Sequence, residues 1–132
     1  AIHPIRNPIS TARSNLRTGH WKLHVSEDQA TFEGLLRSVL QNLHWAVTHK
    51  TLKTKLLLLW EDEYLDTGLL KLCEHTGLDA DSDWLSTVKT AVDLRKRPTE
   101  AADRQAYAYL VSEIFEDLPA LRDRLLRFAR PA

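Results

Sequence analysis

The sequence predicts an all-α protein, a four- or five-helix bundle with an extended basic N-terminal arm. Three observations predict it. Apolar residues recur at helical spacing through most of the chain after residue 26. The segment from Thr51 to Gly77 places leucines on two opposite sides of a helical wheel, as a central helix of a bundle would. The first 25 residues carry four basic residues and no acidic one. We therefore predict two parts, an extended arm at 1–25 and a helical bundle domain at 26–132.

Composition limits the class of protein. A chain of 132 residues is long enough to bury a core without disulfides or a metal. The 18 basic and 18 acidic residues balance, so the whole chain shows no excess charge that would favour a polyanion or a membrane surface. No apolar run reaches the ~20 residues that span a bilayer, and the lone Cys73 excludes an internal disulfide framework. We expect a cytoplasmic protein with no membrane partner, in which Cys73 is a small core residue.

The N-terminal arm is predicted from its prolines and its charge. Pro4 and Pro8 interrupt the region, and its isoleucines are spaced too irregularly for a helix. From His20 to Val25 the apolar and polar residues alternate, which is typical of a strand. The rest of the chain has 14 basic and 18 acidic residues, so a basic arm could dock on the acidic body or on a second copy. The predicted interaction residues are Ile5, Arg6, Ile9, Arg13, Arg17, Trp21, Lys22 and Leu23.

The first two predicted helices follow the arm. Ser26 is a hydroxyl N-cap followed by acidic residues, which predicts a helix to about Thr48. Its buried face is predicted to carry Phe32, Leu36, Val39, Leu40, Leu43 and Val47. The central helix is predicted over residues 51–76, and Gly77 is predicted to end it.

The later helices are predicted from caps and prolines. Ser82 and Asp83 are the N-cap candidates of a third helix, which is predicted to end in a basic cluster at 95–97, and a fourth helix is predicted to begin at Thr99. The inward face of the third helix is predicted to carry Trp84, Leu85, Val88, Ala91 and Val92. Pro119 begins a fifth helix or kinks the fourth. Basic residues in the last turn of a helix ordinarily complement its dipole. If the protein binds nucleic acid, the predicted contact residues are Lys50, Lys53, Lys55, Arg95, Lys96 and Arg97.

The sequence offers few residues for metal or cofactor chemistry. His20 and His24 could share one face, but no third ligand lies near them in the sequence. No Glu-x-x-His pattern of a di-iron bundle occurs, and there is no glycine-rich phosphate loop or Cys-x-x-Cys pair. We predict no metal site, no cofactor and no catalytic residue.

One pair of residues nevertheless suggests an enzyme. Arg37 and His44 lie seven residues apart, on one face of the first predicted helix, within RSVLQNLH. The spacing Arg-x6-His resembles the motif of HEPN-type helical ribonucleases. This resemblance implies RNA cleavage with His44 as the base and Arg37 on the phosphate. The alternative is that Arg37 pairs with Glu33 one turn earlier, beside a half-buried His44.

Three functions remain, and the sequence favours a non-enzymatic protein over an enzyme. The favoured one is a helical protein-interaction subunit that self-associates, or docks on a larger protein complex, through its arm and exposed aromatics. Four tryptophans in a chain of this size fit that function, since Trp is a frequent interface anchor. The alternative is a nucleic-acid-associated helical protein that uses the basic arm and basic clusters. The HEPN-like ribonuclease ranks third.

Overall fold

The computed structural model describes residues 1–49, 51–52, 55–92 and 97–131, and these form two compact units. We call them the sheet unit, Ala1–Arg6 with Thr54–Lys96, and the helical unit, Asn7–Lys53 with Arg97–Ala132. Within the described residues, the strands and α-helices are, in chain order, β1 (Ile2–Ile5), α1 (Pro8–Thr18), α2 (Phe32–Thr48), β2 (Leu57–Trp60), α3 (Leu69–Thr76), α4 (Ser82–Ala91), α5 (Ala101–Ile114) and α6 (Pro119–Leu126). Short 3-10 turns lie at His20–Leu23, Glu27–Gln29, Glu61–Glu63 and Arg127–Ala129, and a π-helical turn at Tyr64–Gly68.

The helical unit is built on α2 and α5, with α1 packed against both. Its buried apolar residues are Ile9, Ala12, Leu35, Leu36, Leu40, Leu43, Ala46, Tyr107, Leu110, Val111, Phe115, Leu125 and Phe128. The buried Tyr107 hydroxyl donates a hydrogen bond to the Leu125 carbonyl oxygen at 2.7 Å, which ties α5 to α6. Burial raises the pKa of Tyr107, so the phenol stays protonated as this bond requires.

The sheet unit has a much smaller core. β1 and β2 pair in parallel, with Ile2 opposite Leu57 and Ile5 opposite Trp60. Its buried apolar residues are Ile5, Leu59, Trp60, Leu69 and Cys73. The burial of Cys73 confirms its predicted place in a core.

Several predicted helix boundaries are confirmed. α3 ends at Gly77, whose φ of 75° lies in the left-handed region that glycine adopts at low cost. Pro119 begins α6, where its missing N–H has no intrahelical partner to lose. The boundaries of α4 differ from the prediction. Its cap is Asp81, one residue before the predicted candidates, and the Asp81 carboxylate accepts from the Asp83 N–H at 2.7 Å. The helix ends at Ala91, before the predicted cluster at 95–97. The mostly helical character of the chain is confirmed.

The predicted central helix over residues 51–76 is wrong. Leu57–Trp60 is a strand, a 3-10 turn and a π-helical turn follow, and only Leu69–Thr76 is α-helical. A short run of consecutive apolar residues is compatible with a buried parallel strand as well as with a helix. Pairing with β1 decides between the two, and nothing within residues 51–77 encodes that partner.

The extended basic arm is not confirmed either. Residues 8–18 form α1, whose cap is Asn7, with the Asn7 Oδ1 accepting from the Ile9 N–H at 3.0 Å. Pro8 occupies the first turn, where proline favours a helix instead of breaking it. The predicted strand at 20–25 begins with a 3-10 turn, because no neighbouring strand pairs with it among the described residues.

The first predicted helix begins later than Ser26. The Ser26 hydroxyl bonds the Asp28 carboxylate at 2.5 Å, and α2 begins at Phe32 with Thr31 as its cap. The Thr31 hydroxyl oxygen accepts from the Gly34 N–H at 3.0 Å. A side chain at Gly34 would collide with the Gln29 carbonyl oxygen, so the entry to α2 depends on glycine. Six described helices divided between two units do not confirm the predicted bundle of four or five.

Candidate interaction surface

The structure buries the two isoleucines that were predicted to dock. Ile5 lies in the core of the sheet unit and Ile9 in that of the helical unit. Arg6, Arg17, Lys22 and Leu23 are exposed, and Trp21 is half-buried. The Lys22 ammonium lies 5.7 Å from the Trp21 ring centroid. These residues divide between core and surface, and their role in interaction stays a prediction.

Arg13, another predicted interaction residue, binds inside its own chain. Its guanidinium donates two hydrogen bonds to the Asp103 carboxylate, each at 2.7 Å, and lies 4.3 Å from the Phe32 ring centroid. These hydrogen bonds lower the pKa of Asp103 and raise that of Arg13, because they favour both charged forms. Asp103 is the only buried charged side chain among the described residues, and this pairing satisfies it. Arg13 therefore joins α1 to α5.

Arg37 and His44 also meet carboxylates, not each other. The Arg37 guanidinium contacts Glu113 at 3.1 Å, so its partner is not Glu33. His44 Nε2 lies 3.0 and 3.1 Å from the two carboxylate oxygens of Asp117. The His44 ring also packs edge-on against the buried Phe115, with centroids 5.5 Å apart. The pair singled out in the sequence is thus part of the contact between α2 and the end of α5.

The basic residues considered for nucleic acid are only partly described. Lys55 and Arg97 are exposed at the surface. Lys50, Lys53, Arg95 and Lys96 lie outside the described residues. The described basic residues therefore form no demonstrated cluster, and a contact with nucleic acid stays a prediction.

Among the described residues, large exposed apolar side chains occur in both units, four in the sheet unit and three in the helical unit. Leu78 is 66% exposed, Leu70 49% and Trp84 41%, and Ile2 is also exposed. Every described residue of α4 is at least partly exposed, although its sequence has an apolar face. In the helical unit, the exposed large apolar side chains are Leu23, Trp45 and Tyr109. The centroids of the Trp45 and His49 rings lie 4.7 Å apart. Of α3 and α4, only α4 has no buried residue.

The two-stranded sheet is the second unusual feature of the sheet unit. Parallel strands normally belong to larger sheets covered on both faces. Among the described residues, β2 has β1 as a neighbour on one edge and no strand on the other. Sequence reasoning missed this feature, although four consecutive leucines before Trp60 were a usable signal for a buried parallel strand.

Groups of metal-binding side chains and candidate membrane spans were sought among the described residues. The described residues contain no group of three or more His, Cys, Asp or Glu side chains placed to bind a metal ion. No described helix combines the length and the apolar character that crossing a membrane requires. Comparisons with protein-family models, with curated proteins and with solved structures found no match. A functional proposal must therefore come from the surface of the molecule itself.

Proposed function

We propose that this protein is a non-enzymatic interaction module that self-associates through the sheet unit. The observation that carries the proposal is the surface of that unit, where Leu70, Leu78 and Trp84 are exposed and α4 buries no residue. Exposed apolar area of this kind marks a surface that is covered in a complex. Tryptophan is also a residue type that often dominates the binding energy of interfaces.

The helical unit supports the same proposal by contrast. Arg37 and His44 form the Arg-x6-His motif of the sequence. In the structure, Arg37 contacts the Glu113 carboxylate and His44 contacts the Asp117 carboxylate. We infer that these two side chains stabilise the contact between α2 and the end of α5.

Sedimentation velocity over a wide range of protein concentration tests the proposal. We expect the sedimentation coefficient of the wild type to rise with concentration. Trp84→Ser should weaken the association about tenfold or more, because burying a large apolar side chain contributes ~1.5–3 kcal/mol.

A matched control lies in the other unit. Tyr109 is 67% exposed on α5, and Tyr109→Ser should leave association unchanged. A wild type that stays monomeric at all concentrations contradicts the proposal. Equal weakening by both variants contradicts its assignment to the sheet unit, and tight, steeply salt-dependent oligonucleotide binding would favour the nucleic-acid function instead.

A further inference from the structure

The exposed apolar side chains at the start of α4 lie in an acidic stretch of the chain. Residues 78–84 read LDADSDW, and both Leu78 and Trp84 are exposed. Asp79 and Asp83 are exposed as well, and their carboxylates form no ion pair among the described residues. Seven residues extend over at most ~25 Å, so all of them fit within a single interface. We call residues 78–84 the acidic face.

The acidic face is poorly suited to bind a second copy of itself. In a two-fold contact, the same surface of both copies meets. From residue 72 to residue 88 the chain has four acidic residues and neither a lysine nor an arginine to offset them. Like charges brought together in an interface repel. A surface that covers the acidic face should therefore be basic as well as apolar.

The same chain presents a basic and apolar surface after the end of α1. Leu23 is 81% exposed, the largest value among the exposed large apolar side chains of the described residues. Arg17 and Lys22 are exposed near it in the sequence, and neither forms an ion pair within the part of the chain that the structure describes. The first acidic residue of the sequence is Glu27. We call residues 17–23 the basic turn.

Backbone hydrogen bonds fix the conformation of the basic turn. α1 ends at Gly19, whose φ of 79° lies in the left-handed region. The Trp21 carbonyl oxygen then accepts from the His24 N–H at 2.9 Å and from the Val25 N–H at 3.0 Å. A segment that is already ordered loses less conformational entropy when it binds. The exposed Leu23 is therefore presented on a preorganised turn.

We propose that the acidic face of one copy binds the basic turn of a second copy, head to tail. The proposal rests on the self-association proposed above and names the surface of the second copy that the sheet unit meets. Leu23 packs against Leu78 and Trp84, and the cations Arg17 and Lys22 lie near the aspartates of the acidic face. Each bound copy keeps one surface free, so association can continue beyond two copies.

Mixing two variants tests the head-to-tail arrangement. Leu23→Ser alters the basic turn and Trp84→Ser alters the acidic face, so each variant alone should associate about tenfold or more weakly than the wild type. A mixture retains one intact contact, between the basic turn of the Trp84→Ser copy and the acidic face of the Leu23→Ser copy. Sedimentation velocity of the mixture should therefore show a heterodimer with the affinity of a wild-type contact, and no larger species.

A charge reversal tests the electrostatic part of the contact. Lys22→Glu places an acid in the basic turn and should weaken association about fivefold, because attraction to the aspartates becomes repulsion. Rising salt should weaken association of the wild type, since exposed charges are screened. Arg130→Glu is the matched control, because Arg130 is exposed in the same unit and belongs to neither surface. Equal weakening by the two reversals would overturn the role of the basic turn.

The outcomes separate this proposal from the proposed function. A wild type that associates while Leu23→Ser and Lys22→Glu associate equally well overturns the head-to-tail contact and leaves self-association through the sheet unit standing. Weakening by both serine variants without restoration in their mixture also overturns the head-to-tail contact. A wild type that is monomeric at every concentration overturns both proposals. Association that is weakened in each serine variant and restored in the mixture supports both.

Discussion

The helical unit buries Tyr107, Leu110 and Phe115 completely, whereas the sheet unit leaves Leu70, Leu78 and Trp84 at the surface. The difference follows from how each unit covers its apolar faces. In the helical unit, α2 and α5 cover each other and α1 packs on both. In the sheet unit, a two-stranded sheet and α3 share a small core, and none of the residues of α4 is buried.

Both units contain polar contacts between residues far apart in the sequence. In the helical unit, Arg13 pairs with Asp103 and Arg37 with Glu113. In the sheet unit, the Ala1 ammonium donates to the Lys55 carbonyl oxygen at 2.8 Å, 54 residues away. The sheet unit has the smaller buried core, so we expect the helical unit to determine global stability and the sheet unit to open more easily.

Amide hydrogen exchange should show the largest difference between the units. Amides of α5 should exchange with the free energy of global unfolding, ~5–15 kcal/mol for a domain of ordinary stability. Those of α4 should exchange through local opening at a much lower free energy. Similar protection in α4 and α5 of the dilute monomer would contradict the comparison. Slower exchange in α4 at high concentration would support the proposed association.

A matched pair of core substitutions should give the next largest effect, a loss in the free energy of unfolding. Leu110→Ala in the helical unit and Leu69→Ala in the sheet unit each remove a buried leucine side chain, and such changes cost ~2–5 kcal/mol. Leu110→Ala should lie near the upper limit, because residues packed on all sides cannot collapse into the space. Chemical denaturation of both variants measures the difference. An equal or larger loss for Leu69→Ala would show that the sheet unit is as rigid as its neighbour.

Among the polar contacts of the helical unit, the Arg13–Asp103 pair should contribute most to the free energy of unfolding. Asp103→Asn should lower the free energy of unfolding at neutral pH by ~1.5–3 kcal/mol, as expected for hydrogen bonds to a charged group. The pKa of Asp103 is lowered in the folded protein, so its contribution is complete above the unfolded value of ~3.9 and is lost as pH falls through the folded pKa. The acid limb of the stability profile should therefore flatten in the variant.

Glu113→Gln is the control for that experiment. Both partners of the Arg37–Glu113 pair are substantially exposed, and exposed pairs contribute ~0–1 kcal/mol. A pH profile that changes as much in Glu113→Gln as in Asp103→Asn would argue against a special role for the buried carboxylate.

The smallest expected effect concerns His44. His44→Ala removes the contact with Asp117, which is largely exposed, and should change stability by about 1 kcal/mol or less. Wild type and variant should both leave RNA intact in metal-free buffer, measured on a labelled single strand. Cleavage by the wild type that disappears in His44→Ala would instead assign a ribonuclease activity to the helical unit.

The sequence alone determined the features that depend on neighbours within a few residues. The helix end at Gly77 and the helix start at Pro119 follow from the backbone conformations of glycine and proline. The predicted buried face of α2 agrees with the structure at Leu36, Leu40 and Leu43, which are all buried. Helical periodicity is a local property, so it can be read without knowing the partner.

Other features were encoded locally but interpreted wrongly. Asn7 followed by Pro8 is a recognised helix start, and it predicts α1 once Pro8 is placed in the first turn. The same prolines predict an extended arm when Pro8 is placed outside a helix. The apolar face of α4 is predicted from the sequence to point inward, but none of the residues of α4 is buried.

Only the tertiary structure decided which partners distant residues meet. Leu57–Trp60 becomes a strand because β1 lies beside it, some fifty residues earlier in the chain. Arg13 and Asp103 are 90 residues apart in sequence, and Arg37 and Glu113 are 76 apart. Periodicity and capping describe a segment and its immediate neighbours, whereas strand pairing and ion pairs are contacts across space. Their formation depends on how the whole chain packs, and no single segment contains that information.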